Sequence, residues 1–175
     1  MPTMQESQLS KQSTVYSYTL AKRIYHSWYK IALYLAIILL AVSYKFNSSN
    51  LLPMLVSYPL VLIFHTLLIR AYFQFTIGMA MRGWSYRFGV FWAGFLPDGH
   101  ASIKLVNTVL QQLLWIGLAL IALLYPWIPQ NWLFYLLLFH CWMLMPRLWF
   151  MLRFRAYRKI GLVKITSTDT SCYLQ

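Results

Sequence analysis

Four long apolar runs interrupt the chain: Ile24–Phe46, Leu51–Ile69, Leu105–Tyr125 and Trp132–Phe150. A helix needs about 20 apolar residues to cross the hydrocarbon of a bilayer, and each run comes close to that length. In water, four such runs would need a charged coat. The chain lacks one: only 10% of its 175 residues are charged, against roughly 25% in soluble domains. The expected fold class is therefore an all-α integral membrane protein built as a four-span helical bundle.

The boundaries follow from local chemistry. The unbroken apolar centre of the first run, Ile31–Val42, is short, but the Tyr, Trp and Lys residues at its ends can sit among headgroups and make up the difference. Pro53 and Pro59 fall in the first half of the second run. A helix starting near Pro59 and running to Met81 would bury Arg70 and Gln74, so an end at Ile69 is preferred. "NSSN" (47–50) and "PWIPQN" (126–131) read as turns. Residues 1–23 read as a polar tail, because the first apolar core begins too late for a cleaved secretory signal. Residues 24–152 form the membrane domain, and 153–175 a basic tail.

The segment 71–97 is rich in aromatics and glycine but carries Arg82 and Arg87 near its middle. A charge at the centre of a spanning helix costs about 2.5–3.5 kcal/mol. The expectation is an interfacial helix, or a re-entrant hairpin covered by protein, between spans two and three.

Charge sets the threading. The chain has fifteen Lys and Arg against three Asp and Glu. With four spans, fourteen of the fifteen basic residues fall on one side or at its boundary, and only Lys45 on the other. Basic residues are retained in the cytoplasm, so both termini are expected there, in a bacterial inner or cell membrane. Topology accounts for the charge, and no nucleic-acid partner is expected. Arg70, Arg82, Arg87, Arg147, Arg153, Arg155, Arg158 and Lys159 are the candidate contacts to anionic headgroups or a protein partner. Arg70 and Arg147 in particular are expected to snorkel to phosphate.

Ionisable residues within spans are functional candidates. His65 and His140 lie in the second and fourth runs, where two imidazoles could ligate a haem iron axially. With the boundaries above, their depths differ by roughly 9 Å at the helical rise. A shared haem is thus disfavoured, no cofactor is expected, and each histidine is assigned a separate interhelical hydrogen bond. Asn107, Gln111 and Gln112 are candidate interhelical contacts, within the bundle or between subunits. Asp98 and His100 in "LPDGH" could form an acid–base pair, although nothing nearby supplies a nucleophile; a turn is the simpler account. Cys141 and Cys172 are not expected to pair, and the sequence has no C-x-x-C or H-E-x-x-H metal spacing. "CYLQ" fits a prenylation motif in form, but it is short enough to arise by chance.

Three functional classes remain. The first is a non-enzymatic subunit of a larger membrane assembly for secretion, DNA transfer or transport, contacting lipids and other subunits or its own copies. The second is a small haem- or cofactor-binding redox protein using His65 and His140. The third is a self-assembling channel lined by Gln111, Gln112 and their neighbours.

Overall fold

The computed structural model describes residues 18–45, 47–78 and 83–174. It is mostly helical, 62%, with four principal helices, but 18% of the chain is strand. The all-α expectation is therefore corrected, and the strands lie in the segments read as tails and connections.

In chain order the elements are β1 (Thr19–Tyr25), α1 (Trp28–Tyr44), a 3-10 turn (Ser48–Asn50), α2 (Leu51–Tyr72), β2 (Trp84–Arg87), β3 (Gly94–Pro97), β4 (Ala101–Ser102), α3 (Ile103–Leu123), α4 (Gln130–Arg153), β5 (Gly161–Ile165) and β6 (Asp169–Leu174). Three helical stretches are long and apolar enough to cross a membrane: Ser48–Ile77, Ile103–Leu123 and Gln130–Arg153. The fourth, α1, is apolar but has only 17 residues. Its first four expected residues are not helical, since Ile24 and Tyr25 belong to β1.

α2 runs beyond Ile69, the expected end, through Arg70 to Tyr72, and a π-helical turn carries it to Ile77. Gly78, at φ 66°, ends it in the left-handed conformation that glycine adopts without steric cost. Extension past Arg70 is tolerated because that guanidinium points outward, 5.8 Å from the centre of the Phe95 ring.

β1, β6, β5 and β4 form one antiparallel sheet in that order. Thr19 pairs with Leu174 and Tyr25 with Asp169, so the first and last strands lie side by side. β5 alternates: Gly161, Val163 and Ile165 are buried, while Leu162 and Lys164 are half-buried. This is the period-2 pattern of a strand with one face on a core. That core contains Val163, Ile165 and Cys172 from the sheet with Ile103 and Phe150 from the helices and Phe154 just past α4. Within the segments read as a polar tail (1–23) and a basic tail (153–175), residues 19–23 and the strands β5 and β6 belong to this sheet, while residues 1–17 lie outside the described residues.

The segment 71–97 is likewise neither a long interfacial helix nor a loop. After Gly78 it forms the hairpin β2–β3, with Trp84 opposite Pro97 and Arg87 opposite Gly94. The second half of the connection between the strands folds inward. Phe91 and Trp92 are buried, and Trp92 stacks on Phe150 with ring centres 5.7 Å apart. Arg82 lies outside the described residues.

β1 leads into α1, the hairpin follows α2, β4 leads into α3, and β5–β6 follow α4. Every strand thus attaches to the same end of an up-and-down bundle. At the far end, the Tyr135 hydroxyl donates to the Lys45 carbonyl at 3.3 Å, and Lys45 Nζ sits 4.8 Å from the centre of the Phe134 ring. Lys45 is the basic residue of the far end. The other described basic residues lie in the sheet, its connections or the sheet-side half of a helix.

Candidate functional site: a buried histidine pair and its surroundings

His65 on α2 and His140 on α4 are both buried, and they meet. His65 Nε2 lies 2.9 Å from His140 Nδ1, with the rings nearly perpendicular at 73°. His140 Nε2 lies 3.4 Å from the Leu114 carbonyl on α3. A carbonyl can only accept, so His140 carries its hydrogen on Nε2 and accepts at Nδ1. His65 must then donate through Nε2, which leaves its Nδ1 an acceptor. That atom is buried and has no partner.

Separate hydrogen bonds for the two histidines are thus corrected to one shared bond. The cause is the length of the second helix. Counted to Ile77 rather than Ile69, His65 lies twelve residues from the sheet-side end of its helix, and His140 lies thirteen from Arg153. At the helical rise of about 1.5 Å per residue they sit at nearly one depth.

α3 supplies space for the pair. Gly117 faces the imidazole of His140, and a methyl group at that position would lie 2.1 Å from Cε1. An apolar groove of about 490 Å³ between α2, α3 and α4 reaches His140, which lines it beside Phe64, Leu120 and Trp132.

The geometry does not fit an axial haem. Two imidazoles across one iron hold their nitrogens about 4 Å apart, at roughly 2 Å each from the metal. Here the facing nitrogens are 2.9 Å apart and bonded to each other. Among the described residues no group of three or more His, Cys, Asp or Glu is placed to hold a metal ion.

Arg147, two turns along α4 from His140, is 2% exposed. This corrects its expected place among headgroups. Its Nη2 donates to the Ala93 carbonyl in the buried tip of the hairpin, and Nε has no partner. Pro146 and Arg147 face inward because the tip, not solvent, covers this part of α4. A buried cation without a carboxylate is costly unless its donors are satisfied. Nothing in the sequence marks this position apart from the neighbouring arginines. The contact needs a carbonyl more than 50 residues away.

The remaining candidates are dispersed. Arg70, Arg153, Arg155, Arg158 and Lys159 are exposed. Arg87 is held in the hairpin by Asp98, at 3.0 Å. Asp98 also accepts from Ser85, and its carboxyl lies below the ordinary range through these two bonds, Ser85 first. His100 instead stacks on Tyr18, with ring centres 4.5 Å apart, so Asp98 and His100 have different partners. Asn107 is half-buried, and its side-chain nitrogen is buried without a partner. Gln111 and Gln112 are exposed on the outer face of α3. Cys141 is exposed on α4, while Cys172 is buried in β6.

No family model, curated protein or solved structure matches the chain. The residues themselves therefore carry the functional reading.

Proposed function

We propose that this is a multi-pass protein of a cell membrane with four crossings, its sheet and both termini on the cytoplasmic side, and that it serves as a non-enzymatic subunit of a larger membrane assembly. Three helices have the length and hydropathy to span. The 17 residues of α1 make about 26 Å of helix, close to a hydrocarbon core of about 30 Å. Exposed rings mark both boundaries: Trp28, Tyr29 and Trp149 near the sheet end, and Tyr44, Tyr125 and Trp127 near the other. Such rings favour the membrane–water interface. The concentration of basic residues at the sheet end supports a cytoplasmic sheet.

The observation that carries the subunit reading is the position of Gln111 and Gln112. They lie eight and nine residues into the 21-residue α3, about 12–14 Å from its sheet-side end and near the middle of the span. Both are exposed. An amide facing hydrocarbon lacks the hydrogen bonds that water would give it, and a neighbouring helix is its usual source of them. The amides point away from this bundle, which favours a contact with another polypeptide over a path through one copy.

Tagged protein extracted from its native membrane and weighed intact by native mass spectrometry tests the proposal. The expected result is a complex that Gln111→Leu with Gln112→Leu disperses. A wild-type chain found only as single copies would overturn the subunit reading. A periplasmic reporter fused at residues 47–50 should be active. Silence there, with activity at the last residue, would overturn the threading.

A further inference from the structure

α3 (Ile103–Leu123) turns one face to the bundle and the opposite face outward. Val106, Val109, Leu110, Leu113 and Gly117 are buried. At 3.6 residues per turn, the direction opposite them is centred near Trp115, with Gln111 and Gln112 to either side. Trp115 is 68% exposed, and both glutamines, Ala119 and Ala122 are exposed as well.

Depth makes this face unusual. Gln112 lies nine residues from the sheet-side end of α3 and Trp115 twelve. These are about 14 and 18 Å along the helix, near the middle of a hydrocarbon core of about 30 Å. Tryptophan favours the membrane–water interface over that depth. Among the described residues, none hydrogen-bonds to the Gln111 or Gln112 amides or to the Trp115 indole. Polar groups left unpaired in hydrocarbon are costly.

Spacing adds a second observation. Leu105, Thr108, Gln112, Trp115, Ala119 and Ala122 follow alternating steps of three and four residues, the seam of two helices that cross at a small angle. Thr108, Ala119 and Ala122 are small, and small residues let helix backbones approach closely within a membrane. Gln112 is the amide at the centre of the seam, where one polar residue fixes register and partner number.

We propose that this face binds α3 of a second copy of the chain, in parallel, about a two-fold axis along the membrane normal. The chemistry selects the partner. Two copies share one threading, so an isologous contact brings residues of the seam opposite themselves at one depth. Two ammonium groups placed so would repel, and two indoles could only donate. An amide carries both a donor and an acceptor and is its own complement. Gln112 therefore pairs with the partner's Gln112, and the second lone pair of each carbonyl accepts from the partner's Trp115 indole. Lys104, exposed at the sheet-side end, would meet its own like charge, so the contact begins at Thr108. The assignment rests on the subunit reading above and names its partner.

Photo-crosslinking in native membranes tests the identity of the partner. Leu123, exposed beside the seam, is replaced by benzoylphenylalanine and the membranes are irradiated. The expected product has about twice the 20.7 kDa of one chain. The same replacement at Leu39, exposed on α1, should give far less of it. Fluorescence transfer between labelled copies in liposomes, at falling protein-to-lipid ratios, then measures association. Gln112→Leu should weaken it about ten-fold, the loss of two interhelical hydrogen bonds. Gln112→Asn should retain most of it, and Trp115→Phe, which keeps a ring but loses the N–H, should weaken it less than Gln112→Leu. Equal doubling from residue 39, or unchanged association of Gln112→Leu, overturns the face. An adduct of another mass overturns the second copy as partner and leaves the subunit reading standing. Adducts to lipid alone, with single copies in native mass spectrometry, overturn both.

Discussion

Gly117 and His140 touch so closely across α3 and α4 that a single added methyl group at residue 117 would fall inside the imidazole, 2.1 Å from Cε1. The ring is in turn held by His65 and the Leu114 carbonyl, so it cannot move aside without breaking a bond. Gly117→Ala should therefore destabilise the folded protein by about 1–3 kcal/mol, the usual cost of overpacking. Adding His140→Ala should recover much of that loss. Thermal unfolding in detergent measures both. An unchanged midpoint for the single variant would contradict the packing.

The His65–His140 bond links two helices through one proton, so the two residues should be energetically coupled. Side-chain hydrogen bonds within membrane bundles contribute about 0.6 kcal/mol on average. A double-mutant cycle with His65→Ala and His140→Ala should give a coupling of that order. Additive effects would mean that the bond contributes nothing to stability. Absorption spectra of the purified wild type should show no haem band.

His26 lies outside the helices, and its pKa is pushed below the ordinary 6.5, first by burial. Its neighbours Asp169 and Lys30 act in opposite directions, raising and lowering it respectively. A depressed histidine gives stability that is fully present above the unfolded-state value. It is lost as pH falls, because the unfolded chain takes up a proton that the folded one resists. The unfolding midpoint should therefore drop between about pH 7.5 and pH 5.5, and the drop should shrink in His26→Gln. His100 is lowered as well, chiefly by burial, so His100→Gln is the needed companion. A slope unchanged in both variants would rule out this origin.

Cys172 is 0% exposed, and burial raises its thiol pKa. It sits opposite Val163 on one side and Lys22 on the other. A membrane-impermeant maleimide should leave it unmodified in the folded protein and label it after denaturation. Rapid labelling of the native chain would show that β6 opens readily. A prenyl group on this thiol would require the strand to leave the sheet.

The helices were legible because apolar runs of this length have few alternatives. The extent of α2 was not, since it depended on where the Arg70 side chain points. Placing that guanidinium outward, against Phe95, lets the helix continue, and this extension brings His65 level with His140. The sheet was missed because its strands are short and separated by the whole bundle. β1 reads as "TLAKRIY" and β6 as "DTSCYL", neither of which alternates cleanly. In β5, "GLVKI", a period-2 signal is present, but five residues beside a run of arginines are too short to set it apart from a basic tail. Arg147 and the hairpin tip required a pairing across the fold that no local pattern announces. Gln111 and Gln112 stand out in an apolar helix, but which way they face depends on the packing of α3.

The pairing of β1 with β6 also has a consequence for biogenesis. Thr19 and Leu174 bond across a separation of 155 residues. β1 leaves the ribosome well before β6 and has to wait for that partner until all four helices have been made. Pairing so distant in sequence is slow to close, and unpaired edges invite aggregation meanwhile. Closure of this sheet thus has to await the synthesis of β6, and nascent chains stalled before β6 should be selectively vulnerable to proteolysis at β1.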